Sequence, residues 1–215
     1  MSDASGRPVR ALAPRRVGEA ADVLAASFAD DPVYTRVFPR PDRRGPALRE
    51  FMAIALHDAV RNGDVDVVEA EHELVAAAAW LPPGANPWTV WRRLRAAPGF
   101  LRVLRIAPRS MRALMGLGAN ADDAFPAERD VWYLEVVGVR PDQQGAGIGS
   151  RLVGAGLERA DATGAASYLE TPRAANVRFY ERLGFEVERD GVELLPGGPA
   201  HWLMRRPAKR ASRNT

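Results

Sequence analysis

The sequence contains no cysteine. That absence excludes a disulfide framework, a thiolate zinc site and an acyl-cysteine intermediate together. Lysine is almost missing too: Lys209 is the only one, so arginine carries nearly all the positive charge. Walker-type and kinase-type phosphate clamps need a lysine in the body of the domain, and neither can be built here. The three histidines, His57, His72 and His201, are scattered without metal-ligand spacing, so no metal is predicted. The longest apolar run, 74–81, falls far short of the ~20 residues of a helical membrane span. Residues 1–8 are small and polar with no apolar stretch, which argues against a signal peptide and for a cytoplasmic protein.

What is present is ordinary for a globular chain: 215 residues, 47% hydrophobic and 27% charged. The net charge of +3 gathers at the C-terminus in Arg205, Arg206, Lys209, Arg210 and Arg213. No aromatics interleave these residues, so a solvated tail is expected, with no nucleic acid and no membrane as partner. The expected organisation is a flexible segment 1–8, one domain over 9–205 with a helical insertion at about 85–130, and a basic tail over 206–215.

Apolar spacing predicts a strand at 9–13, helices at 17–29 and 48–60, and strands at 65–70 and 74–81 stopped by Pro82-Pro83-Gly84. The insertion carries Trp88, Trp91, Phe100 and Phe125. It is expected to form short helices broken at Pro98-Gly99 and Pro108, then a loop from 118 to 130. A strand over 131–139, a glycine turn and a helix to 163 follow, with Gly164 as the stop. A strand at 166–170, a helix at 174–183 capped by Gly184, and strands at 185–189 and 200–204 complete a mixed α/β pattern.

The chemistry concentrates in 139–152, VRPDQQGAGIGSRL. Glycines between a strand and a helix let main-chain N–H groups approach a ligand, and the helix N-terminus adds partial positive charge, which suits a pyrophosphate. The dinucleotide fingerprint G-x-G-x-x-G would need glycine at 150, where Ser150 stands, and a five-residue loop separates the strand from the first glycine. The Walker pattern is absent.

Gln144 to Gly149 does match the acetyl-CoA signature R/Q-x-x-G-x-G/A of the GNAT N-acetyltransferases, and FYERLGF at 179–185 resembles their second signature. Residues 132–149, Leu169-Glu170-Thr171, Asn176, FYERLGF and Trp202-Leu203-Met204-Arg205 are together similar to the puromycin N-acetyltransferase branch, as is Ser27 to Pro32 near the start. The resemblance covers the last 85 residues or so well and the first 80 loosely. It implies an α/β (α+β) fold: a mixed, mostly antiparallel seven-stranded sheet splayed between its fourth and fifth strands, with helices on both faces and acetyl-CoA in the cleft. It implies that main-chain groups of Val137 and Val139 hold the pantetheine arm. Gln144, Gly145, Ala146, Gly147, Ile148, Gly149 and Ser150 would wrap the pyrophosphate, with Asn176 and Phe179 on the cofactor side. Tyr180 falls at the tyrosine that protonates the departing thiolate.

The implied reaction is direct transfer of an acetyl group from acetyl-CoA to a primary amine of a small molecule, by a monomer or homodimer. A protein or peptide acetyltransferase and a non-catalytic acyl-CoA-binding regulator stay open as alternatives. Asn176 and Tyr180, four apart, share a helix face. Glu135 and Glu170 flank the implied cleft as candidate bases. The strand parity of Glu135 matches that of Val137 and Val139. Sequences of the resembling branch do not require an acid at 135, which favours Glu170. The insertion, with Trp88, Trp91 and Phe100, is expected to cover the acceptor, and Asp30 and Asp31 to draw in an ammonium group.

Overall fold

The computed structural model describes residues 7–209; residues 1–6, and Arg210 and Arg213 of the expected tail, lie outside the described residues. Strand β1 (Val9–Ala11) leads to helices α1 (Val17–Ser27), α2 (Pro32–Val37) and α3 (Pro41–Asn62), then to strands β2 (Asp64–Ala70) and β3 (Glu73–Leu81). Helices α4 (Val90–Ile106) and α5 (Met111–Ala124) precede β4 (Val131–Val139), α6 (Ile148–Thr163), β5 (Ala166–Thr171), α7 (Ala174–Glu181), β6 (Glu186–Glu193) and β7 (Ala200–Arg206).

One seven-stranded sheet has the order β1-β2-β3-β4-β5-β7-β6, antiparallel except between β4 and β5. Helices α1, α3 and the insertion pack one face, where Leu24, Leu48, Met52, Val103 and Leu114 are buried. Helix α6 packs the other through Ile148, Leu152 and Leu157. There Gly156 lets the helix lie directly on Trp80: a Cβ at 156 would stand 2.1 Å from the indole. No helix among the described residues is long and apolar enough to cross a membrane.

The parallel pairing of β4 with β5 ends after three pairs, the last being Tyr133 with Tyr168. Beyond it β4 follows β3 out to Val139 opposite Ala76, while β5 follows β7 to Thr171 opposite Trp202. Each strand keeps its outer partner, so the sheet opens between them.

Four local expectations change. Pro98 and Gly99 lie inside α4 rather than breaking it, because Gly99 is where α4 crosses α3: a Cβ there would meet Ile54 at 2.5 Å. The other expected break stands, at Ala107 before Pro108. The expected loop from 118 is helical as far as Ala124. Asp31, whose Oδ1 accepts the Val33 N–H at 2.9 Å, caps the additional helix α2 with Pro32 as its first residue. The second long helix begins at Pro41, and Pro46 is tolerated in its second turn. Gly184 has φ 88° and the Phe185 N–H reaches the Tyr180 carbonyl at 3.1 Å, closing α7.

Candidate active site

The glycine turn lies at the mouth of the opening. Gly145 and Gly147 have φ of 82° and 74°, and a Cβ built on either meets nothing within 4 Å. The positive φ values explain glycine at both positions, and the empty space above them leaves the main chain accessible. The first bond within α6 runs from the Arg151 N–H to the Gly147 carbonyl at 3.2 Å. The N–H groups of Ile148, Gly149 and Ser150 therefore precede any intrahelical acceptor and point out of the helix end. Phe179 stands beside this turn, its ring 3.7 Å from where a Cβ on Gly149 would lie.

The free edge of β4 adjoins the turn. The Arg140 N–H donates to the Val75 carbonyl at 2.8 Å, so residue 140 turns its peptide groups toward β3. Alternation along an antiparallel ladder then turns those of Val139 and Val137 to the open side. The Gln144 side chain already donates to the Val139 carbonyl at 3.0 Å.

On the helical side of the same opening sit two carboxyl groups. Ala79 pairs with Val136 but Trp80 with Leu134, which makes Glu135 the extra residue of a bulge. The bulge reverses the expected parity: Val137 and Val139 join the α6 side of the sheet, whereas Glu135 feels Asp58 of α3 and Arg92 of α4 on the other. Glu135 Oε2 is sealed from solvent without a hydrogen-bond partner. Burial, helped by Asp58 and opposed by Arg92, pushes its carboxyl up to about 8.

Glu170 ends β5. Its Oε1 accepts from the Tyr133 hydroxyl at 2.6 Å, and its Oε2 is sealed and unpartnered. Burial raises this carboxyl to about 7, against the lowering effect of the Tyr133 bond. Tyr180 is buried on α7 against the rings of Phe179 and Phe185, at 5.0 and 5.7 Å between centroids. Burial, then the nearby Glu170, raises its phenol well above the usual range. Asn176 donates to Thr171 Oγ1 at 3.1 Å, fixing the start of α7 to the end of β5.

Several acceptor-side expectations change. Asp31 is buried and engaged by Arg173 Nε at 3.3 Å, while Arg173 Nη2 holds the Asp30 carbonyl at 2.7 Å. Asp31 thus has a guanidinium partner and a helix to cap, and is not free to attract an ammonium. Trp88 and Phe100 pack on the core, but Trp91 faces solvent, 62% exposed. Sequence reading missed Tyr34, which lies against Phe28 and Phe51 and feels Asp31, Glu135 and Glu170. It also missed the buried Asp58–Arg92 pair, joined through Oδ1 to Nε at 2.9 Å. No local pattern marks a pair 34 residues apart. Tyr133 did carry a signal, standing two residues before Glu135. Among the described residues no cluster of three or more His, Asp or Glu is placed to hold a metal.

A family model for the acetyltransferase (GNAT) family matches residues 32–185. The chain belongs to the GNAT acetyltransferase family. A stretch of 62 residues is 40% identical to a mycothiol acetyltransferase of Streptomyces coelicolor; it spans 27% of this GNAT chain and 20% of that protein. Among solved structures, a Corynebacterium glutamicum protein described as histone acetyltransferase HPA2 and related acetyltransferase superposes with a TM-score of 0.69 at 22% identity, covering 96% of this chain and 98% of that one. Arylalkylamine N-acetyltransferase 2 of Aedes aegypti gives 0.66 at 15% identity, covering 94% and 99%. PaiA N-acetyltransferase of Thermoplasma acidophilum, solved in complex with coenzyme A, gives 0.56 at 14%, also covering 94% and 99%. At these identities the structural likeness speaks for the GNAT fold. It agrees with the seven-stranded sheet and the parallel β4–β5 pair.

Proposed function

We propose that this chain is an acetyl-CoA-dependent N-acetyltransferase that acetylates a primary amine of a small molecule, within the puromycin-type branch its motifs resemble. The observation that carries the reading is the opened sheet. It joins a free strand edge and an accessible glycine turn to two carboxyls raised to about 7 and about 8. The names of two relatives, mycothiol acetyltransferase and arylalkylamine N-acetyltransferase, agree with a small acceptor.

Acetyl-CoA supplies an acetyl group already activated as a thioester. The turn from Gln144 to Ser150 binds the pyrophosphate through main-chain N–H groups and the α6 N-terminus. The open-side peptide groups of Val137 and Val139 orient the pantetheine arm as an added strand would be held. Asn176 and Phe179 support this side from α7.

Glu170 takes the proton from the attacking amine at its unpartnered Oε2. An ordinary carboxylate of pKa ~4.3 is about 6 units too weak to deprotonate an alkylammonium of pKa ~10.4, a gap of about 8 kcal/mol. With Glu170 at about 7 the gap falls to about 4.6 kcal/mol. Glu135, at about 8, is the second proton acceptor of the cleft. Tyr180 keeps its proton across the physiological range and gives it to the departing sulfur.

A thiol-release assay with acetyl-CoA and a panel of primary amines, peptides included, tests this. Turnover with at least one small amine and formation of the acetylated product are expected. Acetyl-CoA binding without thiol release from any amine would instead leave a regulator, and turnover on peptides alone a protein acetyltransferase.

A further inference from the structure

Helix α4 has two apolar faces. One meets the core through Gly99 and Val103, with Ala96 and Phe100 at its margin. The opposite face should be polar on a surface helix. Instead Val90, Leu94, Leu101 and Leu104 point to solvent at 74%, 59%, 51% and 39% exposure, with Ala97 completing the row. Steps of four, three, four and three residues align them along one line. At 1.5 Å per residue the helix is about 25 Å long.

The helix itself supplies charge of one sign. Residues 90–112 contain no acidic side chain. Arg95, Arg105, Arg109 and Arg112 are exposed and make no ion pair among the described residues; Arg95 lies over the Trp91 ring at 5.3 Å. Arg93 and Arg102 carry counter-ions in Asp122 and Glu50. Along the margin of the row a cleft of about 180 Å³ opens between α3 and α4; His57, Arg61, Arg95 and Arg102 converge on it, and its one carboxylate, Asp58, is paired with Arg92.

We propose that the outward face of α4 docks on the surface of a lipid bilayer carrying anionic headgroups. The aliphatic row enters the acyl boundary, the arginines beside it meet phosphates, and the cleft accepts one headgroup phosphate. An interfacial helix needs this combination of an apolar strip and basic flanks. The flanks decide against a second copy of the chain, since a two-fold contact through this face sets arginines against arginines. Apart from Trp91, one face of which Arg95 covers, the leading surface is aliphatic, which suits acyl chains and leaves a nucleic acid little to stack on. The sequence-based expectation of no membrane partner rested on the basic tail and on the lack of a spanning segment; a docking face depends on which side of α4 the fold leaves open.

The full chain is sedimented with vesicles of phosphatidylcholine alone or mixed with phosphatidylglycerol. Binding to the mixed vesicles, weakened by salt and accompanied by a blue shift of Trp91 fluorescence that Trp91→Phe removes, is expected. Each of Arg95→Gln, Arg105→Gln, Arg109→Gln and Arg112→Gln should cost about fivefold in partitioning, and Leu94→Glu with Leu101→Glu about tenfold or more. These side chains are exposed, so an unchanged thermal midpoint is expected in every variant. Failure of the wild type to bind mixed vesicles at low salt overturns the proposal. So does binding indifferent to both sets of substitutions, or a dimer in sedimentation velocity that Leu94→Glu with Leu101→Glu dissolves.

Discussion

The Tyr133 hydroxyl donates to Glu170 Oε1 at 2.6 Å, bridging the fourth and fifth strands just past the point where their own pairing stops. The bond favours the charged carboxylate and holds Glu170 down against its burial. Tyr133→Phe removes the bond and leaves the ring. The acid limb of the kcat/KM profile, expected near pH 7 from a Glu170 at about 7, should move upward. Glu170→Gln should abolish that limb and lower kcat by about 10²–10⁴-fold. An acid limb that stays in place in both variants would assign the proton transfer elsewhere.

Glu135 makes stability depend on pH. Its carboxyl, at 4.5 in the unfolded chain, rises to about 8 in the fold. The folded state therefore favours the protonated form, and this advantage is complete below about 4.5 and lost as pH rises through about 8. Glu135→Gln cannot ionise. Its thermal midpoint relative to the wild type should be flat in acid and climb steadily across that window in scanning calorimetry. A constant difference at all pH values contradicts the buried, unpaired carboxyl.

Tyr180 is sealed against Phe179 and Phe185 and retains its proton over the assay range. Tyr180→Phe conserves the ring packing and deletes only the acid. A fall in kcat of about 10²-fold with acetyl-CoA affinity unchanged is expected, read by steady-state kinetics beside calorimetric titration. Wild-type kcat in the variant would show that solvent protonates the sulfur.

At Gly147 the backbone has φ 74° and nothing stands within 4 Å of an added Cβ. Gly147→Asp brings backbone strain and a carboxylate to the place where the N–H groups of the α6 end converge. Acetyl-CoA binding, expected in the micromolar range for the wild type, should vanish from calorimetric titration. Equal affinity in the variant would remove the turn from the site.

Arg92 and Asp58 are both buried, and the pair fastens α4 to α3 close to Glu135. Arg92→Met strands the Asp58 charge and should cost about 3–5 kcal/mol in denaturant unfolding. Adding Asp58→Leu should restore most of that loss, since neither charge then remains. A double variant no more stable than the single one would mean that the pair stabilises the fold by more than mutual neutralisation.

Where the information lies near one position in the chain, the sequence determined the outcome. The order of elements, α2 excepted, follows from apolar periodicity and from turns at Pro82-Pro83-Gly84, Gly164 and Gly184. The strand, glycine turn and helix around Gly145 and Gly147 is local as well, because positive φ and helix-end N–H groups are properties of a few consecutive residues. Boundaries inside the insertion were less legible. Proline in isolation argues for a break at Pro98, but packing of Gly99 against Ile54 stabilises a continuous helix and offsets the missing N–H.

Tertiary structure alone decided which groups meet. The face of Glu135 depends on a bulge, and the bulge on the register of β3 against β4, which no stretch of β4 encodes by itself. Glu170 is raised because the fold buries it, and it finds Tyr133 only because β4 and β5, 37 residues apart at these positions, lie side by side. Asp31 was diverted from the acceptor by Arg173, 142 residues away along the chain. The arginine–leucine pattern of α4 does not say which apolar row is covered; the core takes the Gly99–Val103 side and leaves the other row in solvent. Pairing, burial and the choice of which face to cover are long-range events, fixed by what the whole chain packs against each residue.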